Sequence, residues 1–263
     1  MLRSARLPDP GDTWPLTLPL LQRVRTIPLD APVTLLVGEN GTGKSTLLEA
    51  LAIATELPAA GSRDRPADDP SLAPLRPLAD GLRLDWTARS RRGLFLRAED
   101  FFGYVREQNA RDAEARLEAE RLARERPDLP DLELQRIQGP WLGPVAARAA
   151  RYRGDLDARS HGEAFLAFVG ARLGGPGLYL LDEPEAALSP LRQLALLAMV
   201  KDAVAAGAQF VIASHAPIVM AAPGARILEL SAEGMREAAF DELEHVSVLR
   251  SFLQAPEAYL RHL

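Results

Sequence analysis

The chain contains no cysteine, which excludes disulfides, cysteine nucleophiles and thiolate metal centres. It has four histidines in 263 residues, and they are scattered, so no histidine-built metal cluster is expected. Lys and Arg number 31 against 36 Asp and Glu, for a formal net charge of −5. That balance gives no support to a surface coated in basic charge for wrapping nucleic acid, and leaves only a local groove as a route to such a partner. No apolar run approaches the ~20 residues needed to span a bilayer. The opening MLRSARLPDPGD has no apolar core segment and reaches Pro8 early, unlike a signal peptide. A cytoplasmic chain without membrane insertion is expected.

What is present is the composition of a folded α/β domain. Apolar residues make up 47% and charged residues 25%, enough for one substantial core, or for one core with a small appended lobe. Residues 1 to 30, including the apolar stretch Leu16 to Leu21, read as edge strands. Val33 to Val37 (VTLLV) is a continuous apolar run, as expected of a buried parallel strand. Lys44 to Leu57 reads as a helix, and 58 to 80, rich in Pro, Asp, Ala and Gly, as an irregular surface excursion. Short strands follow at 82 to 87 and 94 to 98, joined by the turn at 91 to 93. From Tyr104 to Arg126 the sequence is dominated by Arg, Glu, Asp and Ala. There Glu107 and Arg111, Asp112 and Arg116, and Glu120 and Arg124 are spaced for i,i+4 pairs on an exposed helix. This segment is either a solvated helix face or a partner-binding arm. Residues after Pro127 and Pro130 are loosely patterned. Beyond them lie a helix at 162 to 173 and strands at 178 to 181, 209 to 213 and 226 to 230. A helix at 191 to 206 has Ser189 as its cap, Pro190 at its first position and Gly207 as its stop. The tail from Asp241 reads as helix broken near Pro256. Alternating buried strands and helices imply a mostly parallel sheet covered on both faces.

One segment carries specific chemistry. Gly38-Glu39-Asn40-Gly41-Thr42-Gly43-Lys44-Ser45-Thr46 fits G-x-x-x-x-G-K-[ST]. Its glycines let successive backbone N–H groups face one concavity, and the following helix adds its positive end. Lys44 can reach the β and γ phosphates of a nucleoside triphosphate, and the Ser45 hydroxyl can ligate Mg²⁺. A second metal-side carboxylate is needed, and the apolar run 177 to 181 ends in Asp182, at the sheet edge where open α/β folds place ligands. Glu183, one residue on, can accept a proton from an attacking water. His215 follows the strand ending at Ala213 and can donate to the γ phosphate or orient the water. Ser160 and Glu163 form a capping-box pair at a helix start, an anion site in its own right. Capping does not account for Gly162.

The order of these motifs resembles the ATP-binding-cassette class of ATPases, especially its soluble SMC-like and recombination-type members. It is also similar to small bacterial predicted ATPases with an AAA-type core. The stretches that carry this are VTLLVGENGTGKSTLLEALA, FLRAEDFF, SHGEAFLAF, GLYLLDEPEAALSP, QFVIASHAPI and PEAYLRHL. The resemblance implies a single nucleotide-binding domain over 1–263, with an inserted helical lobe at 103–160. It implies ATP and Mg²⁺ as ligands, with residues 38 to 46 as the Walker A loop, Asp182 as the Mg²⁺ partner and Glu183 as the catalytic glutamate. His215 matches the switch histidine, and Ala187-Leu188-Ser189 the D-loop. Ser160-His161-Gly162-Glu163 stands where the class has S-G-G-Q, so that Ser160 and Gly162 would bind the γ phosphate held by a second subunit in a transient ATP-dependent homodimer. Glu99, in Arg97-Ala98-Glu99-Asp100, stands roughly at the Q-loop glutamine, where a carboxylate can also approach Mg²⁺.

His161, Glu163 and Glu99 depart from the class pattern, and Trp14 is the sole upstream Trp or Tyr that could meet an adenine. The long coiled coils of SMC proteins are missing. Hydrolysis that opens a closed dimer is the leading expectation. The alternative is an ATP-binding switch or scaffold with little turnover, in a setting such as DNA repair or phage defence, with its protein partner unknown. A transporter ATPase is possible by class, although no permease cue accompanies it. A phosphate-loop kinase fits less well, because the Asp-Glu pair and His215 suit an attacking water.

Overall fold

The computed structural model describes residues 1–59, 70–90, 92–152 and 160–261. The middle of the 58-to-80 excursion, residue 91 of the turn, residues 153 to 159 ahead of Ser160, and the last two residues of PEAYLRHL lie outside the described residues.

In chain order the elements are β1 (Leu2–Arg6), α1 (Pro19–Arg23), β2 (Thr26–Pro28), β3 (Val33–Val37) and α2 (Lys44–Thr55). They continue with α3 (Arg76–Gly81), β4 (Arg83–Trp86), β5 (Gly93–Arg97), α4 (Ala98–Glu125), α5 (Asp131–Arg151) and α6 (His161–Gly170). The last are β6 (Gly177–Asp182), α7 (Pro190–Ala205), β7 (Ala208–Ala213), α8 (Pro217–Met220), β8 (Arg226–Ser231), β9 (Gly234–Glu237), α9 (Glu244–Gln254) and α10 (Pro256–Leu260). Six strands form one sheet in the order β5-β6-β7-β3-β8-β9. Every pairing in it is parallel except β8 with β9. The expected mostly parallel sheet is present, with helices on both faces.

Apart from Thr34, Asp182 and Gln209, the buried strands β3, β6 and β7 carry no polar side chain but the Tyr179 hydroxyl, because both of their faces are covered. Val33, Leu35, Val37, Tyr179, Leu181, Phe210 and Ile212 pack on the side of α6 and α7. Leu36, Leu180, Val211 and Leu228 face the opposite way, toward α2, α3 and a second sheet. Each buried leucine or isoleucine contributes roughly 1.5–3 kcal/mol. That second sheet is antiparallel, in the order β2-β1-β4. Residues 1 to 30 therefore do supply strands, but Leu16 to Leu21 does not. It leads into α1, where Pro19 sits at the first helical position, a place its missing N–H suits.

Gln209 ties the two sheets together from inside β7. It is 1% exposed; its Oε1 accepts the Leu2 N–H at 2.8 Å, and its Nε2 donates to the carbonyls of Leu2 and Leu29. Gln209→Leu would keep the volume and strand all three backbone groups. A loss of about 2–4 kcal/mol is expected, read as a lower urea midpoint at an unchanged slope; unaltered stability would refute this role.

The excursion at 58 to 80 is less irregular than its composition implies. Its described end forms a 3₁₀ turn and α3, burying Leu72, Leu75 and Leu78. The loosely patterned region after Pro130 is a continuous helix, α5, despite Pro140 and Pro144 inside it. Those prolines signal a break, but α5 lies along α4 as a hairpin, and tertiary packing overrides the local preference. Asp112 reaches across to Arg148 of α5, while Glu107 and Arg111 pair within α4 as spaced. Phe101 meets Phe165 at 5.2 Å and Phe168 at 5.1 Å, edge to face. Arg172 lies over Phe168 and donates to the Tyr152 hydroxyl at 2.7 Å. These contacts seat the hairpin on α6. Among the described residues no helix is long and apolar enough to cross a membrane.

Candidate active site

β3 delivers the chain to the sheet's C-terminal edge, and the glycine loop turns it into α2. Gly38, Gly41 and Gly43 have φ of 145°, 83° and 97°. A Cβ on Gly38 would lie 2.2 Å from the carbonyl oxygen of Leu230, so no other residue fits there. Gly43 caps α2 without a side-chain acceptor, leaving the first-turn N–H groups for an anion. Lys44 is 4% exposed, and its ammonium donates to the carbonyls of Gly38 and Glu39, each at 2.8 Å. Burial lowers the Lys44 pKa, opposed by the charges of Glu183, Asp182 and Glu185.

β6 brings Asp182 alongside. Ser45 Oγ donates to Asp182 Oδ1 at 3.1 Å, which sets two hard oxygen ligands side by side at the first turn of α2. Asp182 is 5% exposed. Burial pushes its pKa up to about 7, against the Ser45 hydrogen bond; the charges of Glu49 and Glu183 push the same way as burial, and Arg97 opposes them. A buried carboxylate so disfavoured as an anion is one that a divalent cation would suit. Mg²⁺ is held by one or two carboxylates together with phosphate oxygens. Among the described residues no group of three or more His, Asp or Glu could hold a metal ion by itself. The residues present fit Mg²⁺ bound with a nucleotide.

Glu183 follows at φ 45°, ψ 50°, a left-handed conformation that costs a non-glycine residue of order 1 kcal/mol. Its N–H donates to the Ala213 carbonyl at 3.0 Å, so the end of β7 holds the turn. The carboxylate is half-exposed, and its Oε1 lies 3.5 Å from His215 Nε2. The approach is electrostatic only, since Nε2 has no hydrogen-bond partner. Burial and the Lys44 charge lower the His215 pKa, against the pull of Glu183 and Glu185, which keeps the imidazole neutral near pH 7.

Two neighbours of these groups carried no mark in the sequence reading. Glu185 Oε1 accepts from Ser214 Oγ at 2.8 Å and from the N–H groups of His215 at 2.6 Å and Ala216 at 3.1 Å. It thereby fixes the loop that aims His215. The available signal was a third carboxylate in Asp182-Glu183-Pro184-Glu185, which one 3₁₀ turn folds back onto the strand edge. Arg97 ends β5 in register with Asp182 and pairs with Glu49 at 3.3 Å and Asp100 at 3.4 Å. Glu99, expected at the metal, is instead 77% exposed and directed to Arg97 at 3.5 Å. The structure does not bring it to Ser45 and Asp182, because α4 buries its first residue, Ala98, and turns Glu99 outward, while Arg97 takes the inward position.

Ser160 and Gly162 open α6 at a separate place. Glu163 Oε2 accepts the Ser160 N–H at 3.1 Å, and its other oxygen accepts from Arg192 at 2.9 Å. Hydrogen bonds from Ser160 and Arg192 hold the Glu163 carboxyl below its usual range. A Cβ on Gly162 would meet Arg192 Cδ at 2.6 Å and the Ala187 carbonyl at 3.1 Å. Gly162 thus has a packing reason that capping did not supply: the helix start lies directly on the segment 187 to 189. These contacts do not involve residues 38 to 46.

Strand, glycine loop and helix, with Ser45 and Asp182 joined beside them, make a cradle suited to a phosphate chain. A family model described as AAA domain matches residues 21–72. Among solved structures, the chain is similar to cbiO1 from Clostridium perfringens, part of the ABC transporter complex cbiONQ, at 15% identity over 98% of each chain with a TM-score of 0.45. It is also similar to a nucleotide-free ATP-binding cassette from an ABC transporter, at 17% identity over 98% of this chain and 99% of that one, TM-score 0.48. A third is an ATP-binding cassette of an ABC transporter in its ADP conformation, at 16% identity over 99% of each chain, TM-score 0.47. No curated protein matches. The transporters named there are those proteins' own assemblies.

Proposed function

We propose that this protein binds ATP with Mg²⁺ and hydrolyses it, and that two copies close on the nucleotide and part after hydrolysis. The observation that supports this best is the convergence at one sheet edge of Lys44, the Ser45–Asp182 pair and the Glu183–His215 pair. In this reading the N–H groups of residues 38 to 46 and Lys44 hold the β and γ phosphates. Ser45 and Asp182 hold Mg²⁺, which when bound neutralises charge developing on the phosphate oxygens. Glu183 takes the proton of the attacking water, and His215 donates to the γ phosphate. Phosphate release from the purified chain is expected to require Mg²⁺ and to vanish in Lys44→Ala. Equal release by the two proteins would defeat the proposal.

Ser160 and Gly162 make their contacts away from their own chain's loop, which supports a role across a dimer. Ser160→Arg is expected to leave ATP affinity within about threefold and to cut turnover about 10²-fold, as for loss of a transition-state donor. Mixing it with Lys44→Ala offers a sharper check. In a symmetric sandwich the mixed dimer retains one intact site, so about a quarter of wild-type activity should return. No recovery on mixing would exclude sharing of the site between chains. An ATP-binding switch with little turnover is the second reading, favoured by the outward position of Glu99.

A further inference from the structure

A late helix, α9, reaches the site. α9 begins beside β8 and β9, seated by Leu243 at 0% and Val246 at 4% exposure. Arg236 of β9 pairs with Glu229 of β8 and also with Glu242, and Asp241 pairs with Arg250. The first turn of α9 is therefore fixed against the sheet edge, and its second residue is His245. That imidazole lies 5.9 Å from the His215 ring, tilted by 59°. With Glu244 it also lines a cavity of about 480 Å³ whose other wall is the glycine loop, Gly38 to Thr42.

Both imidazoles are incomplete in the same way. His215 Nε2 and His245 Nδ1 are each buried and lack a hydrogen-bond partner. Buried ring nitrogens are normally satisfied. A phenyl ring of similar size would fill the place of His245 without leaving an orphan, so packing does not account for a histidine there. Two orphans on adjacent rings, beside a loop shaped for phosphate, imply a polar atom that arrives with the ligand.

Resting on the hydrolytic reading above, we propose that His245 is a positioning residue for His215. Its Nδ1 and the His215 Nε2 share an oxygen on the phosphate side of the bound nucleotide, either a phosphoryl oxygen or the water next to it. α9 thus completes the site from within the same chain, and His215 is aimed only while α9 is docked.

The test compares replacements at position 245 in the full chain. Asn places an amide nitrogen near the Nδ1 position, Gln places one near Nε2, and Phe keeps a ring without nitrogen. His245→Phe and His245→Gln are expected to lower kcat about 10- to 100-fold with nucleotide Kd within about threefold, whereas His245→Asn stays within about threefold of wild type. Should Phe fail to fold, the Gln and Asn proteins carry the same contrast. Equal kcat in all of them, or a loss in Asn as large as in Gln, overturns the proposal. Nitrogen NMR of the imidazoles reports independently of turnover. On adding Mg²⁺ with a non-hydrolysable ATP analogue, His245 Nδ1 should shift in wild type, and the His215 resonance should respond in His245→Asn but not in His245→Gln. A protein that shows these shifts yet releases no phosphate would refute hydrolysis and keep the two-histidine site. A protein that hydrolyses ATP with neither shift would do the reverse.

Discussion

Glu183→Gln is expected to hold ATP and not turn it over. The amide keeps the size of the carboxylate and its place beside His215 but cannot take a proton from water. A general base contributes about 10²–10⁴-fold, so phosphate release should fall at least 10²-fold while nucleotide affinity stays near that of wild type. The larger effect is on assembly. If hydrolysis is what parts two closed copies, the variant accumulates closed, and gel filtration with ATP and Mg²⁺ should show a species of twice the monomer mass. The same protein without nucleotide should run as a monomer. A strictly monomeric elution with ATP bound would remove the sandwich from the mechanism, and unchanged phosphate release would remove Glu183 as the base.

Asp182→Asn should separate folding from function in opposite directions. The Asp182 pKa is raised to about 7 from its ordinary value of 3.8, chiefly by burial. Between those two values the folded chain holds a proton that the unfolded chain has lost, so metal-free stability falls as pH rises through that window. Above pH 7 the whole deficit is present, on the order of 2–4 kcal/mol. Asparagine removes it. At pH 8 without metal the variant should melt about 5–10 °C above wild type, and the two proteins should converge toward pH 4. Addition of Mg²⁺ and ATP should raise the wild-type midpoint strongly and the variant hardly at all, because the metal-side carboxylate is gone. Parallel melting curves across pH 5 to 8 would show that Asp182 carries no such penalty.

The parallel sheet was legible because VTLLV, LYLL and QFVIA are apolar on both faces, a pattern only a doubly covered strand requires. The glycine loop was legible because its chemistry depends on residue spacing within one stretch. The antiparallel sheet was only partly so: β1 buries Leu2 and Ala5, three residues apart across an irregularity in its pairing, so its five residues show no period of two. α5 was hidden by Pro140 and Pro144, whose local cost the α4 hairpin offsets. The site divided along the same line. Asp182, Glu183 and His215 stand at or just past strand ends, and Lys44 and Ser45 open the helix that follows the glycine loop, all places that follow from sequence. Glu185, Arg97 and His245 reach them through a 3₁₀ turn, a register match and a helix that returns from the far end of the chain. None of those approaches has a sequence period. Glu99 shows the converse, since a one-residue offset at the start of α4 decides which side chain turns inward.

Lys44 has a further consequence when no nucleotide is near. Its ammonium donates to the carbonyls of Gly38 and Glu39, so the loop's own backbone helps to hold its curl. Entry of a phosphate chain is then an exchange in which two internal bonds open before new ones form. On the proposed function a triphosphate would engage the lysine, the loop N–H groups and the metal together, more contacts than a single small anion makes. On that function, the latch would screen ligands by how many contacts they make at once.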